Sequence, residues 1–418
     1  LVQNTIVSFT PSLRSSSHCE MKSLIPSGKQ MATGGSKPFL PPEIINNILV
    51  RLPAKSIVQF RCVCREWKDL SKSPSFIAEH YHHHLDCENH FLLLHEHSYG
   101  YRGFRDHNEH RRSSLHLLDH KMETVEVLSI PSSSAFRRKW RIVGSCSGLL
   151  CVEVDHGIRN SPSLWLWNPL IREARKVPRT RNDWRVSRVG FGFSSVANDY
   201  KIVRFYLSDS ELDKKKVDGV YSRCRVEVYS LSTSSWKELR ELEVGDLHLP
   251  GALTKPVNVD GTIFWLDSKL TSFDIATEVV TSTQVPTEDG FCRLGFGVYK
   301  NKLAGLYGFL EEDGSCSVYV WVIEEVASES GKSFSFTQKH RIDQVPNGLR
   351  IYFWGNEVVC LDKKYVTEVE GGPKCVLHMF NPITNEEKKF KCSTSYDWCD
   401  VFNYEKSLVS VWNNQQAE

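Results

Sequence analysis

The sequence predicts an α+β chain of more than one domain: a small N-terminal unit of three helices, followed by an all-β, propeller-like domain of six blades. Three observations carry this expectation. Residues 39–80 hold apolar positions at helical spacing, punctuated by prolines. From about residue 90 the helical period gives way to short runs rich in Val, Ile, Tyr, Phe and Trp, bounded by Gly, Asp, Asn, Ser or Pro. Within that region one strand-turn-strand pattern recurs six times. A length of 418 residues exceeds one ordinary domain, and 40% hydrophobic with 11% aromatic residues is enough to fill more than one core.

The expected division starts with residues 1–37, which are rich in Ser, Thr, Gly and Lys, lack the apolar block of a signal peptide, and read as a disordered segment in which Met21 or Met31 is a candidate translation start. Residues 38–82 follow as the helical unit, 83–114 as a linker with the first strands of the β domain, 115–412 as the β domain, and 413–418 as a disordered tail.

In the helical unit, Pro41 and Pro42 open a first helix where missing amide hydrogens cost nothing, and Glu43 in its first turn complements the helix dipole. Ile44, Ile45, Ile48, Leu49 and Leu52 then recur on one face until Pro53 stops the helix. A second helix from about Lys55 carries Ile57, Val58 and Phe60. A third carries Val63, Trp67 and Leu70 and ends at Ser73-Pro74. Three helices in so short a stretch cannot bury all this apolar surface among themselves, so part of it should meet a partner; the alternative is a bundle that packs on the rest of the chain.

In the β region the repeat aligns Leu118, Trp167, Tyr229, Phe273, Trp321 and Phe380, spaced by 49, 62, 44, 48 and 59 residues, which is close to the length of a four-stranded blade. Each copy follows an apolar run: FLLLHEH from Phe91, GLLCVEV from Gly148, KIVRFYL from Lys201, TIFWLD from Thr262, LAGLYGF from Leu303 and EVVCLD from Glu357. Closing the blades into a ring would remove exposed strand edges, with SLVSVW, ending at Trp412, as the expected closing strand. A β-sandwich or twisted sheet with similar strand lengths is the alternative architecture.

The helical stretch matches a known pattern position by position: Leu40, Pro41, Glu43, Ile44, Ile48, Leu49, Leu52, Pro53, Lys55, Ser56, Phe60, Arg61, Val63, Cys64 and Trp67, then Pro74 and Phe76. It closely resembles the F-box. In the β region, GSCSGLLCV from Gly144, WNPLIREARKVP from Trp167, VGFGF from Val189 with DYKIVRF, VEVYSLSTSSWKEL and NVDGTIFWL resemble the F-box-associated, kelch-like domain of plant F-box proteins. The resemblance implies docking onto a Skp-type adaptor, and through it onto cullin and RING subunits, while the β domain captures a protein substrate for ubiquitylation. A protein-binding scaffold that acts independently of ubiquitin is the other function class. Within the resemblance, Leu40, Pro41, Ile44, Ile48, Leu49, Leu52 and Pro53 are assigned to the adaptor contact, and Val63 and Trp67 to holding the helices together. A place in the cytoplasm, the nucleus or both follows from the same reading.

Other chemistries find little support. The 52 basic and 50 acidic residues nearly cancel, which argues against a nucleic-acid or membrane-surface binder. The 13 cysteines are odd in number and include no Cys-x-x-Cys, as expected of free thiols. No apolar run approaches the roughly 20 residues of a membrane-crossing helix. The sequence holds none of the common nucleophile-elbow, zinc-protease or phosphate-loop motifs, and the Gly-Phe-Gly at Gly190–Gly192 and at Gly295–Gly297 reads as strand. No catalytic residue, cofactor or metal is therefore assigned. His82, His83, His84, Cys87 and His90 are of zinc-ligand type, but their spacing fits no closed site. Phe136-Arg-Arg-Lys-Trp-Arg141 mixes cations with aromatic residues, as single-strand nucleic-acid grooves do, and reads instead as a solvated loop or a contact for an acidic substrate. The substrate face is expected on the inter-blade loops of one rim, with Trp184 and Tyr221 as candidates.

Overall fold

The computed structural model describes residues 40–84, 90–97, 113–157, 161–180, 186–207, 223–243, 255–266, 269–286, 290–312, 316–328, 331–346, 350–364, 374–392 and 398–412. The segments expected to be disordered, 1–37 and 413–418, lie outside these residues. The chain divides into two compact units, 1–45 and 46–418.

Helices occupy the N-terminal part: α1 (Pro42–Val50), α2 (Ala54–Phe60), α3 (Arg65–Leu70) and α4 (Pro74–His83). This is one helix more than the sequence predicts. Ser73-Pro74 does not end a helix; it begins one. The Ser73 hydroxyl accepts from the Phe76 amide at 3.3 Å, and Pro74 occupies the first turn, where it has no hydrogen bond to lose. Inside unit 46–418, α2 and α4 bury Ala54, Ile57, Phe76 and His80.

The strands run β1 (His90–His97), β2 (Ser113–Leu118), β3 (Thr124–Val127), β4 (Trp140–Cys146), β5 (Leu149–Val154), β6 (Ser163–Asn168), β7 (Glu173–Lys176), β8 (Val186–Ser194), β9 (Asp199–Leu207), β10 (Arg223–Ser230), β11 (Ser235–Glu243) and β12 (Val257–Val259). They continue as β13 (Thr262–Leu266), β14 (Lys269–Asp274), β15 (Val280–Gln284), β16 (Phe291–Tyr299), β17 (Lys302–Leu310), β18 (Cys316–Ser328), β19 (Gly331–Val345), β20 (Arg350–Trp354), β21 (Glu357–Lys364), β22 (Lys374–Phe380), β23 (Glu387–Cys392) and β24 (Trp398–Glu405). They form six antiparallel sheets of four strands, in the orders β24-β1-β2-β3, β4 to β7, β11-β10-β9-β8, β12 to β15, β16 to β19 and β20 to β23. This is a six-bladed β-propeller.

The ring closes through β24, which pairs with β1 from His90↔Glu405 to His97↔Trp398 and so supplies the innermost strand of the first blade. The expected closing strand, SLVSVW, is instead an irregular strap. Its carbonyls are taken by side chains of the second blade: Asn168 Nδ2 donates to Ser407 O at 3.0 Å and to Val409 O at 2.8 Å, and Arg175 to Val411 O at 3.4 Å. Apolar residues at Leu408 and Val411 are buried, which is why the run resembles a strand in sequence.

The aligned repeat positions all fall on the third strand of a blade, and the apolar runs before them all fall on the second. These middle strands are flanked on both sides, so they carry the strongest apolar signal. Six apolar layers fill the spaces between successive blades. Leu150, Trp167 and Phe402 lie in the layer between blades one and two; Leu94, Val359 and Val401 lie in the layer between the sixth and the first. The repeated Gly-Phe-Gly lies on inner strands β8 and β16. A Cβ at Gly190 would stand 2.2 Å from the Trp265 ring, and one at Gly295 2.7 Å from the Ile351 carbonyl, so these glycines let inner strands β8 and β16 approach the next blade.

Antiparallel pairing fixes which connections share a rim. The turns from first to second and from third to fourth strand fall on one rim, where β24 ends and β1 begins; we call it the near rim. The second-to-third and blade-to-blade connections fall on the other, the far rim.

Candidate functional site

The N-terminal unit presents apolar side chains to solvent. At the start of α1 the amides of Ile44 and Ile45 donate to Pro41 O at 3.0 and 3.1 Å, which sets the first turn. Leu40 is 52% exposed, Ile44 47% and Ile48 47%; Pro41 and Pro53 are also exposed. Ile44 and Ile48 are one helical turn apart. Leu52 is half-buried and Leu49, at 3%, is buried. Val63, expected to hold the helices together, is 61% exposed. The reason is local: residues 61–64 form the turn into α3, where the Cys64 sulfur accepts from the Trp67 amide at 3.5 Å, so the spacing from Val63 to Trp67 does not run along a helix. Trp67 does pack inward, its ring 5.6 Å from that of Phe60.

The histidines of α4 have a packing explanation. His80 Nε2 lies 2.9 Å from Leu52 O and His84 Nε2 3.1 Å from Val50 O, so these two rings meet the carbonyls that the end of α1 leaves without partners. Burial holds the His80 imidazole down at about 4, and nearby His84 and His83 act in the same direction. Among the described residues no three metal-ligand side chains converge. Cys87 lies outside them.

Helix α4 is tied to the near rim. The Tyr81 hydroxyl donates to the Glu405 carboxylate at the end of β24, and His90 Nδ1 approaches the other oxygen of that carboxylate at 3.3 Å. Burial first, and then the Glu405 charge, push the Tyr81 hydroxyl far above the usual phenol range. On the outer strand of the same blade, Glu126 receives Lys55 of α2 at 3.2 Å and Lys406 at 3.0 Å. Burial opposes ionisation there, but the two lysines hold Glu126 below the ordinary carboxylate range.

The propeller axis encloses a cavity of about 610 Å³ lined by the inner strands of all six blades. Lys255 sits against its wall, 2.9 Å from Asp400 and with its ammonium 4.2 Å from the centre of the Phe402 ring and 4.8 Å from that of Tyr352. Nearby, Asn258 Nδ2 donates to Phe193 O at 3.3 Å and to the Cys146 sulfur at 3.5 Å. Among the described residues the closest approach of a serine hydroxyl to a histidine, Ser163 with His156 at 2.8 Å, involves a buried serine that also accepts from Trp165 Nε1.

At the far rim of the second blade, the basic segment of residues 136–141 splits by side chain. Phe136 and Trp140 are buried in the layer between blades one and two, their rings 5.6 Å apart, while Arg137, Arg138, Lys139 and Arg141 are exposed. Trp184 and Tyr221 lie outside the described residues; the strand ends on either side of each, Lys176 with Val186 and Leu207 with Arg223, belong to the far rim.

Comparison with known proteins gives two family matches: the F-box domain over residues 39–78 and the F-box associated beta propeller domain over residues 106–411. An F-box/kelch-repeat protein of Arabidopsis thaliana is 23% identical over 386 residues, 89% of this chain and 95% of that protein. F-box protein CPR1 of the same plant is 27% identical over 212 residues, 49% of this chain and 46% of CPR1. Against another Arabidopsis F-box protein the match is 27% over 256 residues, so the chain spans about three fifths of the length of that relative, 60%.

Proposed function

The chain belongs to the family of F-box proteins with an F-box associated β-propeller domain, and on that premise we propose that it is the substrate-recognition subunit of an SCF-type (Skp, cullin, F-box) ubiquitin ligase. The F-box takes a Skp-type adaptor, and through it the cullin and RING subunits; the propeller holds a protein substrate. The observation that carries this reading is that four large apolar residues within the F-box match, Leu40, Ile44, Ile48 and Val63, are exposed, Ile44 and Ile48 one helical turn apart on α1. Apolar side chains grouped at helical spacing in water mark a protein interface.

Leu40, Pro41, Ile44, Ile48, Leu52 and Pro53 form the adaptor contact in this proposal. Leu49 supports it from inside the helical unit, Trp67 holds the helices together, and Val63 joins the exposed side. Catalysis by this subunit requires no nucleophile of its own, because bringing a ubiquitin-charged carrier next to a bound substrate raises the effective concentration of the reacting groups. The propeller's own residues serve to bind and orient. Such a ligase would work in the cytoplasm, the nucleus or both.

The test is capture of a purified Skp-type adaptor by the full-length chain, compared with a Leu40→Ala, Pro41→Ala variant and an Ile44→Glu, Ile48→Glu variant. Both should lose capture while the β-type circular dichroism and the unfolding midpoint of the propeller stay unchanged, since the altered side chains are exposed. Capture retained by both variants would refute the assignment; no capture by the parent chain would leave a propeller scaffold that acts without ubiquitin.

A further inference from the structure

At the far rim, cations from separate segments of the second blade collect at one place. Arg137, Arg138 and Lys139 come from the connection into β4, and Lys176 and Arg179 from the end of β7 and just beyond it; all five are exposed. His156, at the end of β5, marks their convergence: burial lowers its proton affinity first, and the charges of Arg138, Arg179 and Lys176 then lower it further. The backbone draws these segments together, with the Asp155 amide donating to Lys139 O at 2.8 Å.

Most of these cations lack a carboxylate partner among the described residues. Several other surface cations of the propeller are paired, as Arg341 is with Glu311 at 3.0 Å and Asp343 at 2.6 Å, Lys237 with Glu278 at 2.5 Å and Lys389 with Glu387 at 3.1 Å. Arg137, Arg138, Lys176 and Arg179 have no ion pair with any described residue. Of the carboxylates on these segments, Glu153 holds Arg141, while Asp155, whose Oδ1 accepts from the Gly157 amide at 2.7 Å, offsets part of the positive charge. A chain with 52 basic and 50 acidic residues thus leaves a local excess of positive charge on one rim of one blade.

We propose that this far-rim patch docks an acidic, carboxylate-rich segment of the protein the propeller captures, a proposal that rests on the substrate-receptor reading above. The shape of the site selects the class of ligand. The cavity beside it, between Pro178, Arg179, Arg204 and Trp236, holds about 30 Å³, the space of a single water, so it has no room for a free small anion, and the exposed cations favour a ligand that lies across the surface. Single-stranded nucleic acid needs exposed aromatic faces on which bases stack, and the two rings of the basic segment are both buried in the inter-blade layer. What remains is a row of long, flexible cations, which matches carboxylates spaced along an extended polypeptide.

The experiment measures fluorescence anisotropy of a labelled poly-glutamate peptide, a Gly/Ser peptide of the same length and an oligothymidylate, each titrated with the full-length chain and with an Arg137→Glu, Arg138→Glu, Arg179→Glu variant. The expected result is that poly-glutamate binds at low ionic strength, weakens as salt is added, and loses at least about tenfold in affinity in the variant, while the Gly/Ser peptide does not bind. Failure of poly-glutamate to bind, or equal binding to both proteins, overturns the proposal. Oligothymidylate bound as tightly as the peptide and released by the same variant would reassign the patch to nucleic acid and also overturn it. Adaptor capture is read on the same samples: peptide binding without adaptor capture would sink the ligase reading and leave the docking surface standing.

Discussion

His80 shows what a single buried titratable side chain does for the F-box. A free imidazole titrates near 6.5, whereas in the fold burial holds this one at about 4, with the Leu52 carbonyl hydrogen bond pulling the other way and His83 and His84 adding to the depression. Between those two values the unfolded chain binds more protons than the folded one, so His80's contribution is fully present above about 6.5 and declines as pH falls toward about 4. The expected outcome is acid-side loosening of the helical unit that a His80→Gln variant lacks, followed by amide exchange of α2 and α4 against pH; an unchanged acid profile in the variant would assign the loosening to another group. The sequence makes the histidine cluster obvious and its use invisible. The bonds join His80 to Leu52, 28 positions away, and only the fold brings a ring on α4 to the end of α1. Val63 was misleading for a related reason, since helical periodicity says nothing about a residue in the turn between two helices.

Among elements, the second and third strands of each blade were readable because neighbours flank them and they must be apolar on both faces; Trp167, Tyr229, Phe273 and Phe380 are buried as the repeat implies. The inner strands were harder, because their signature is the absence of a side chain. At Gly190 any Cβ meets the Trp265 ring, which itself packs edge-on against Phe205 at 5.1 Å. Gly190→Ala should therefore destabilise the propeller by about 1–3 kcal/mol, the usual cost of overpacking a filled core, measured by urea unfolding. A variant as stable as the parent would mean that Trp265 can rotate away at little cost. The strap after β24 escaped the sequence reading because Leu408, Val409, Val411 and Trp412 make it as apolar as a strand; what distinguishes it is that Asn168 and Arg175 side chains, and no described partner strand, take its carbonyls.

For the whole molecule, ring closure follows from the need to leave no open strand edge, and the sequence supports it in outline: six units were countable, and so was the requirement for a strand returning to the first. Which segment returns depends on pairing between residues more than 300 positions apart, such as His90 with Glu405, and no local pattern encodes that. Truncation after residue 397 removes β24 and opens the layers on both sides of the first blade, where Val401 and Phe402 are buried. The shortened chain should lose cooperative unfolding altogether; a sharp transition like the parent's would show that five blades and an incomplete sixth suffice. The Tyr81 to Glu405 hydrogen bond adds an ordering in time. Helix α4 precedes β24 in the chain, so the carboxylate that anchors α4 to the propeller is synthesised 324 residues after its partner Tyr81. A nascent chain in which β24 is not yet made thus lacks the contact that fixes α4 on the propeller.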